Sequence, residues 1–308
     1  MEPKMEMISE FESYLIEQDR ARLTVLGYLA DLKNFSSWFT QTNGEALSPQ
    51  AVTPTDIREY RQHLQVTERR KASTINRRLA ALSAFLDWAV QTGQIEKNPR
   101  GKIKSVKQEE PAAQALDKKQ QYALQRTIEK DLQVASLRYP KRKVARQRDA
   151  SLVLFLLNTG LRLSELLALQ IGDVEIGERK GTVIVRQGKG NRERNIPLNV
   201  AARKAMQDWL AVRPQKASKF IWTAVEDESG SLTARSVQRI LKRLGQEAGI
   251  PDLHPHLARH TFAKNLVDGG VGLEKVARLL GHSNLNTTRI YVTPNERDLE
   301  LAVQILDF

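Results

Sequence analysis

The chain has 308 residues, with 48 lysines and arginines against 36 aspartates and glutamates, a net charge of +12, and no cysteine. That length accommodates two domains of ordinary size, and the positive excess suits a polyanionic partner bound through counterion release. Disulfides, thiolate metal sites and cysteine nucleophiles are excluded, and without a basic-then-apolar start at Met1 or an apolar run longer than Leu152–Leu157 the expectation is a soluble, cytoplasmic protein without membrane association.

The first hundred residues read as helical. Val25, Tyr28, Leu29, Leu32, Phe35 and Phe39 recur at three- and four-residue steps, which is one face of a helix. Thr53 and Thr55 offer N-caps for a helix containing Ile57, Tyr60 and Leu64. A further helix runs from about Ser73 to Thr92, with Ile75, Leu79, Leu82, Phe85, Leu86 and Ala89 as its buried stripe and Gly93 as its stop. Lys71, Ser73, Thr74, Asn76, Arg77 and Arg78 crowd its beginning. They suit a DNA backbone, because a helix N-terminus and basic side chains both favour phosphate; a solvated helix end has the same composition.

These helices define an expected N-terminal domain over 1–98. Residues 99–114 carry Pro99, Gly101, Lys102, Lys104, Lys107 and Pro111 with little periodicity, the composition of a basic linker. A second domain follows over 115–308. Near its beginning, Arg138-Tyr139-Pro140-Lys141-Arg142-Lys143, with Arg146 and Arg148, is a weaker candidate for backbone contact. Thr182–Val185 and Arg194–Leu198 are short β-prone runs around Gln187-Gly188-Lys189-Gly190-Asn191, a pattern that predicts a hairpin with Lys189 at its tip. Helices are expected near Val200–Val212, Thr233–Ala248, Leu257–Val267 and Leu273–Leu280, stopped by Gly249, Gly269-Gly270 and Gly281. The expected fold is mainly α with a small antiparallel β-sheet.

The chemistry gathers between Arg162 and Tyr291. Gly160 permits a backbone break after a buried apolar helix, so that a new helix starts at Arg162. An arginine there needs an anion; Glu165 or a scissile phosphate serves equally on these residues alone. His256 and Arg259 are three apart and share a helix face. His254, His256 and His260 raise a metal site, but no carboxylate or thiolate stands at ligand spacing, so His254 and His260 read as structural. His282 follows the Leu280-Gly281 helix stop, and Tyr291 follows the N-cap candidates Asn286-Thr287-Thr288. A lone tyrosine is ordinarily packing, and its phenol becomes a nucleophile only beside a base and cations.

In order, Thr159-Gly160-Leu161-Arg162-x-Ser164-Glu165, Gly188-Lys189-Gly190, His256-x-x-Arg259-His260-Thr261-Phe262-Ala263, Leu280-Gly281-His282 and Thr287-Thr288-x-x-Tyr291 resemble the signature of the tyrosine recombinase (phage integrase) family. That family holds Xer-type recombinases and phage and transposon integrases. The likeness spans nearly the whole chain, with the front helices similar to the family's SAM-like core-binding domain. Ala258 departs from the pattern where leucine is expected, which touches local packing only.

The resemblance implies a site-specific recombinase acting on a double-stranded DNA recombination site through a 3′-phosphotyrosine, for integration, excision or resolution of replicons. Tyr291 would attack phosphorus, Arg162 and Arg259 would stabilise the developing charge, and Lys189 would protonate the departing 5′-oxygen. His256 would accept the tyrosine proton, His282 would hydrogen-bond the phosphate, and Glu165 would support the arginines. No cofactor and no metal is implied. The partners implied are a homotetramer on two DNA sites and an exchanged C-terminal helix bearing Leu299, Leu301, Ala302, Ile305 and Leu306; accessory proteins are not specified. With no long extension before the helical domain, no separate arm-binding domain is expected, which favours the Xer-like or transposon type. The competing readings are a monomeric type IB topoisomerase and a catalytically silent DNA-binding regulator.

Overall fold

A computed structural model describes residues 3–101, 103–107, 114–186, 193–214, 218–225, 230–282 and 286–289. Lys189, Tyr291 and the expected C-terminal helix lie outside the described residues. The chain divides into two units, Met1–Glu110 and Pro111–Phe308.

In the first unit, α1 (Pro3–Glu17), α2 (Arg22–Asn43), α3 (Pro54–Gln62) and α4 (Ala72–Gln91) enclose one core. The three- and four-residue spacing works as the sequence suggests: Val25, Leu29, Leu32, Phe35 and Phe39 of α2 are buried, and so are Ile75, Leu79, Leu82, Phe85, Leu86 and Ala89 of α4. Phe11 of α1 meets Phe85 edge-on at 5.4 Å between ring centres, a favourable aromatic geometry. Of the two cap candidates, Thr53 is the cap: its hydroxyl accepts the Asp56 N–H while the Asp56 carboxylate accepts the Thr53 N–H at 2.8 Å, a reciprocal pairing of orphan donors. Beyond α4 the chain turns back along that helix. Asn98 Nδ2 donates to Asp87 Oδ1 at 2.7 Å, and Asn76 exchanges two hydrogen bonds with the Val106 backbone. Ile103 and Val106 pack on the unit's core.

The second unit is built on α6 (Lys143–Thr159), which packs against α5 (Lys118–Arg138), α8 (Val200–Leu210) and α10 (Pro255–Asp268). Leu152, Val153, Phe155 and Leu156 of α6 are fully buried. Beside them, Trp209 and Trp222 stack at 6.4 Å, and the Trp209 indole N–H donates to the Ile221 carbonyl at 2.8 Å. The sheet is antiparallel in the order β1 (Val174–Ile176), β2 (Gly181–Val185), β3 (Arg194–Pro197), with Val183 opposite Val174 and Ile196, and Val185 opposite Arg194. The remaining helices are α7 (Leu163–Ala168), α9 (Ala234–Glu247), α11 (Leu273–Leu280) and the short α12 (Asn286–Arg289). Ala263, Val276 and Leu280, with Phe262 and Leu266, glue α10 to α11. Among the described residues no helix is long and apolar enough to cross a membrane. The architecture is thus mainly helical with a small antiparallel sheet, as the sequence implies.

Gly160 is where the fold turns toward chemistry. Its φ is +62°, a conformation that costs an L side chain about 1–2 kcal/mol, and a Cβ there would fall 2.3 Å from Phe262 Cδ1. Glycine therefore ends α6 in tight contact with α10. Arg162, extended at φ −69° and ψ 151°, then opens α7 as its N-cap.

Candidate active site

The last carbonyls of a helix lack intrahelical partners and carry its negative end. At the end of α11 three successive carbonyls each take a different arginine. Leu279 O accepts Arg194 Nε at 3.0 Å, Leu280 O accepts Arg259 Nη2 at 2.7 Å, and Gly281 O accepts Arg162 Nη2 at 3.1 Å. The helix stop read in Leu280-Gly281 is therefore a bracket that sets three guanidiniums side by side. Gly281 has φ +67°, and a Cβ on it would lie 2.8 Å from Arg194 Nη1.

Arg259 is the most enclosed of the sequence-predicted pair, at 4% exposure. Its Nη1 also donates to Gly160 O at 2.7 Å, so one side chain ties the end of α6 to the end of α11. Arg162 is more open, its side chain 28% exposed. Glu165, buried, accepts Arg162 Nη1 at 2.9 Å and the Arg162 backbone N–H at 2.8 Å. Of the two anions weighed in the sequence, Glu165 is the one the Arg162 guanidinium meets in the fold, and the side chain stays partly exposed. Burial pushes the Glu165 carboxyl up, but hydrogen bonds and charge from Arg194 and Arg162 outweigh it and hold the pKa below the ordinary value. Three guanidiniums against this one carboxylate make a cluster of net positive charge, which favours an anion.

His256 reaches solvent from the first turn of α10. Partial burial first, then the fields of His254, Arg259 and Arg162, hold its pKa below the ordinary value. His282 is held at about 4, by burial first and then by Arg259, Arg162 and Arg194. Both rings feel the same two arginines, so the folded chain brings Arg162, His256, Arg259 and His282 together. His282 Nδ1 lies 2.9 Å from the Thr288 hydroxyl, which fixes the ring and links it to α12, three residues before Tyr291. Neutral imidazoles here suit hydrogen bonding and proton acceptance near neutral pH.

His254 is structural in a specific way: its Nδ1 accepts the Leu257 N–H at 3.1 Å and caps α10. His260 is held below its ordinary pKa by burial, then by His256 and Arg259. Because the folded pKa values of His256, His260 and His282 lie below the unfolded value, the unfolded chain takes up protons first as pH falls. Their contribution to stability is complete above about pH 6.5 and is lost on the way down to the folded values, about 4 for His282. We expect the urea midpoint to drop between pH 7 and pH 5, and to drop less in His282→Asn; an unchanged slope in that variant contradicts the half-buried, neutral ring.

The residues expected at the head of α4 divide. Lys71, Ser73 and Arg77 are exposed. Arg77 pairs with Asp31, and Arg78, its side chain 10% exposed, is drawn toward Glu68 at 3.3 Å and Asp31 at 4.0 Å. Thr74 is half-buried, and Asn76 is engaged with Val106. Sequence reasoning missed Arg194 and Thr288. Thr288 stands in the motif beside Tyr291, but nothing local marks it as the partner of His282.

With this geometry in hand, comparison with known proteins is direct. The profile of the Phage integrase family matches residues 126–297, and that of the phage integrase N-terminal SAM-like domain matches residues 8–93. A tyrosine recombinase XerC from Corynebacterium efficiens is 33% identical over 93% of this chain and 86% of its own length. The XerC of Bacillus subtilis is 30% identical over 94% and 92% respectively. Among solved structures, XerH recombinase bound to a palindromic difH substrate superposes with a TM-score of 0.75 at 21% identity, covering 98% of this chain and 85% of that one. A lambda integrase dimer on a core site gives 0.69 at 16% identity, covering 95% and 96%.

Proposed function

Because the chain belongs to the Phage integrase family and is a tyrosine site-specific recombinase, we propose that Arg162, Lys189, His256, Arg259, His282 and Tyr291 are its catalytic residues. The Tyr291 phenol attacks a scissile phosphorus, the bond from phosphorus to the 5′-oxygen breaks, and a 3′-phosphotyrosine forms. His256 takes the phenol proton, and Lys189 supplies one to the departing 5′-oxygen. Arg162 and Arg259 stabilise the charge that grows on the non-bridging oxygens, and His282, fixed through Nδ1, hydrogen-bonds the same group. Glu165 supports the arginines. A 5′-hydroxyl from a second strand then reverses the chemistry, so the ester retains the energy for rejoining.

The observation that carries this reading is the triple bracket at the end of α11, which concentrates guanidiniums where His282 and the segment leading to Tyr291 begin. DNA contact by the first unit has support beyond the head of α4. Arg58, Arg61, Lys97, Arg100 and Lys104 line a concavity of about 650 Å³. Among the described residues, none of the five forms an ion pair. Cations without an ion-pair partner in a groove favour phosphodiesters, and the linker we propose between domains 1–98 and 115–308 is residues 99–114. The assembly we propose is a homotetramer on two sites, with the C-terminal helix exchanged between protomers.

Two labelled duplexes taken from DNA adjoining the gene test the function. Strand exchange between them, requiring both sites, is the expected result. Relaxation of a supercoiled circle with no need for paired sites would instead mark a topoisomerase, and binding without cleavage a silent regulator.

A further inference from the structure

Arg194 opens β3, and its partner across the sheet is Val185, the last residue of β2. Residues 186–193 connect the two strands, so Lys189 hangs from this terminal pair. A chain of four residues spans at most about 14 Å from Val185, and the placement of the pair therefore limits where Lys189 can act.

Val183, Val185 and Ile196 seat the two strands in the core, and one side chain ties the end of β3 to the site. Arg194 is 11% exposed, and its guanidinium meets Glu165 as a two-pronged fork, Nη1 to Oε1 at 3.0 Å and Nη2 to Oε2 at 2.8 Å. Its Nε takes the Leu279 carbonyl at 3.0 Å. Glu165 in turn holds Arg162 through two further hydrogen bonds. Each oxygen of one buried carboxylate thus joins the base of the hairpin to the arginine that opens α7. A lysine could not reproduce this, because it lacks the planar fork.

We propose that Arg194 is a positioning residue for the leaving-group side of the reaction: through Glu165 and Leu279 it sets the base of the hairpin against Arg162, so that the Lys189 ammonium arrives at the departing 5′-oxygen. This rests on the reading of Lys189 as the proton donor. It differs from a merely stabilising ion pair in predicting which half of the chemistry fails when the fork is lost.

The test compares cleavage of two duplexes that contain the position cut by the wild-type protein in DNA adjoining its gene. One has the ordinary phosphodiester and the other a 5′-bridging sulfur, whose thiolate leaves without needing a proton. The reading is the ratio of the two rates within each protein preparation, which does not depend on the fraction folded. Arg194→Gln is expected to cut the ordinary duplex about a hundredfold more slowly than wild type, the scale of a lost proton transfer, and to recover most of that loss on the sulfur duplex. Lys189→Ala should recover likewise, and Arg162→Ala should not. Arg194→Lys, which keeps the charge without the fork, should show the same pattern with a smaller loss. If Lys189→Ala recovers while both Arg194 variants do not, or if both Arg194 variants cut the ordinary duplex at the wild-type rate, the positioning role is overturned. If Lys189→Ala itself fails to recover, the assignment of Lys189 falls instead.

Discussion

Replacing Arg259 with lysine is expected to slow strand cleavage by about a hundred- to a thousandfold, the cost of removing one preorganised donor from a developing oxyanion. Lysine keeps the charge but not the fork, and Arg259 uses the fork twice within the fold, toward Gly160 O and Leu280 O. Arg259→Ala is expected to lose stability as well, because two enclosed carbonyls are left without their donor at roughly 1–3 kcal/mol each. Arg162→Ala separates the two effects. Its guanidinium is more exposed and shares Glu165 with Arg194, so the same catalytic loss should come with a smaller drop in the urea midpoint. Single-turnover cleavage and urea unfolding on the three variants check this. If Arg259→Lys cleaves within threefold of wild type, the guanidinium has no part in stabilising the reacting group.

Much of the frame is legible because it follows period and punctuation. The stripes of α2 and α4 stand at helical spacing, and the stops at Gly160 and Gly281 bracket the two helix ends that meet at the site. α5 carries the same kind of signal more faintly: it opens with Asp117 and Gln120 in a reciprocal cap, and Leu124, Ile128 and Ala135 mark its buried side. β1, three residues long, is too short for alternation to show. Arg194 was out of reach for a different reason. It stands among charged neighbours, Arg192 and Glu193, and looks like any solvated residue until the fold brings it to Glu165 and to the Leu279 carbonyl. Backbone carbonyls at the end of α11 have no letter in the sequence, so the bracket that gathers three arginines could only emerge from tertiary structure. Asn76 and Arg78 illustrate the converse. Their composition suits a nucleic-acid surface, yet their side chains hold Val106, Glu68 and Asp31.

The second large effect falls on Tyr291. Phenylalanine there keeps the ring and removes the hydroxyl that the proposed ester requires, so the covalent step should fall on the order of 10⁴-fold or more while binding to the same duplex persists. Neutral histidines and bracketed arginines can polarise a phosphodiester, but neither stores the bond energy that rejoining requires. The most direct measurement is therefore the trapping of protein on a nicked duplex whose short 5′-end product diffuses away after cleavage. The wild-type protein should accumulate a denaturant-stable adduct, with the nucleotide mapped to the peptide bearing Tyr291, and Tyr291→Phe should accumulate none. An adduct formed by Tyr291→Phe, or one mapped to a different residue, contradicts the account.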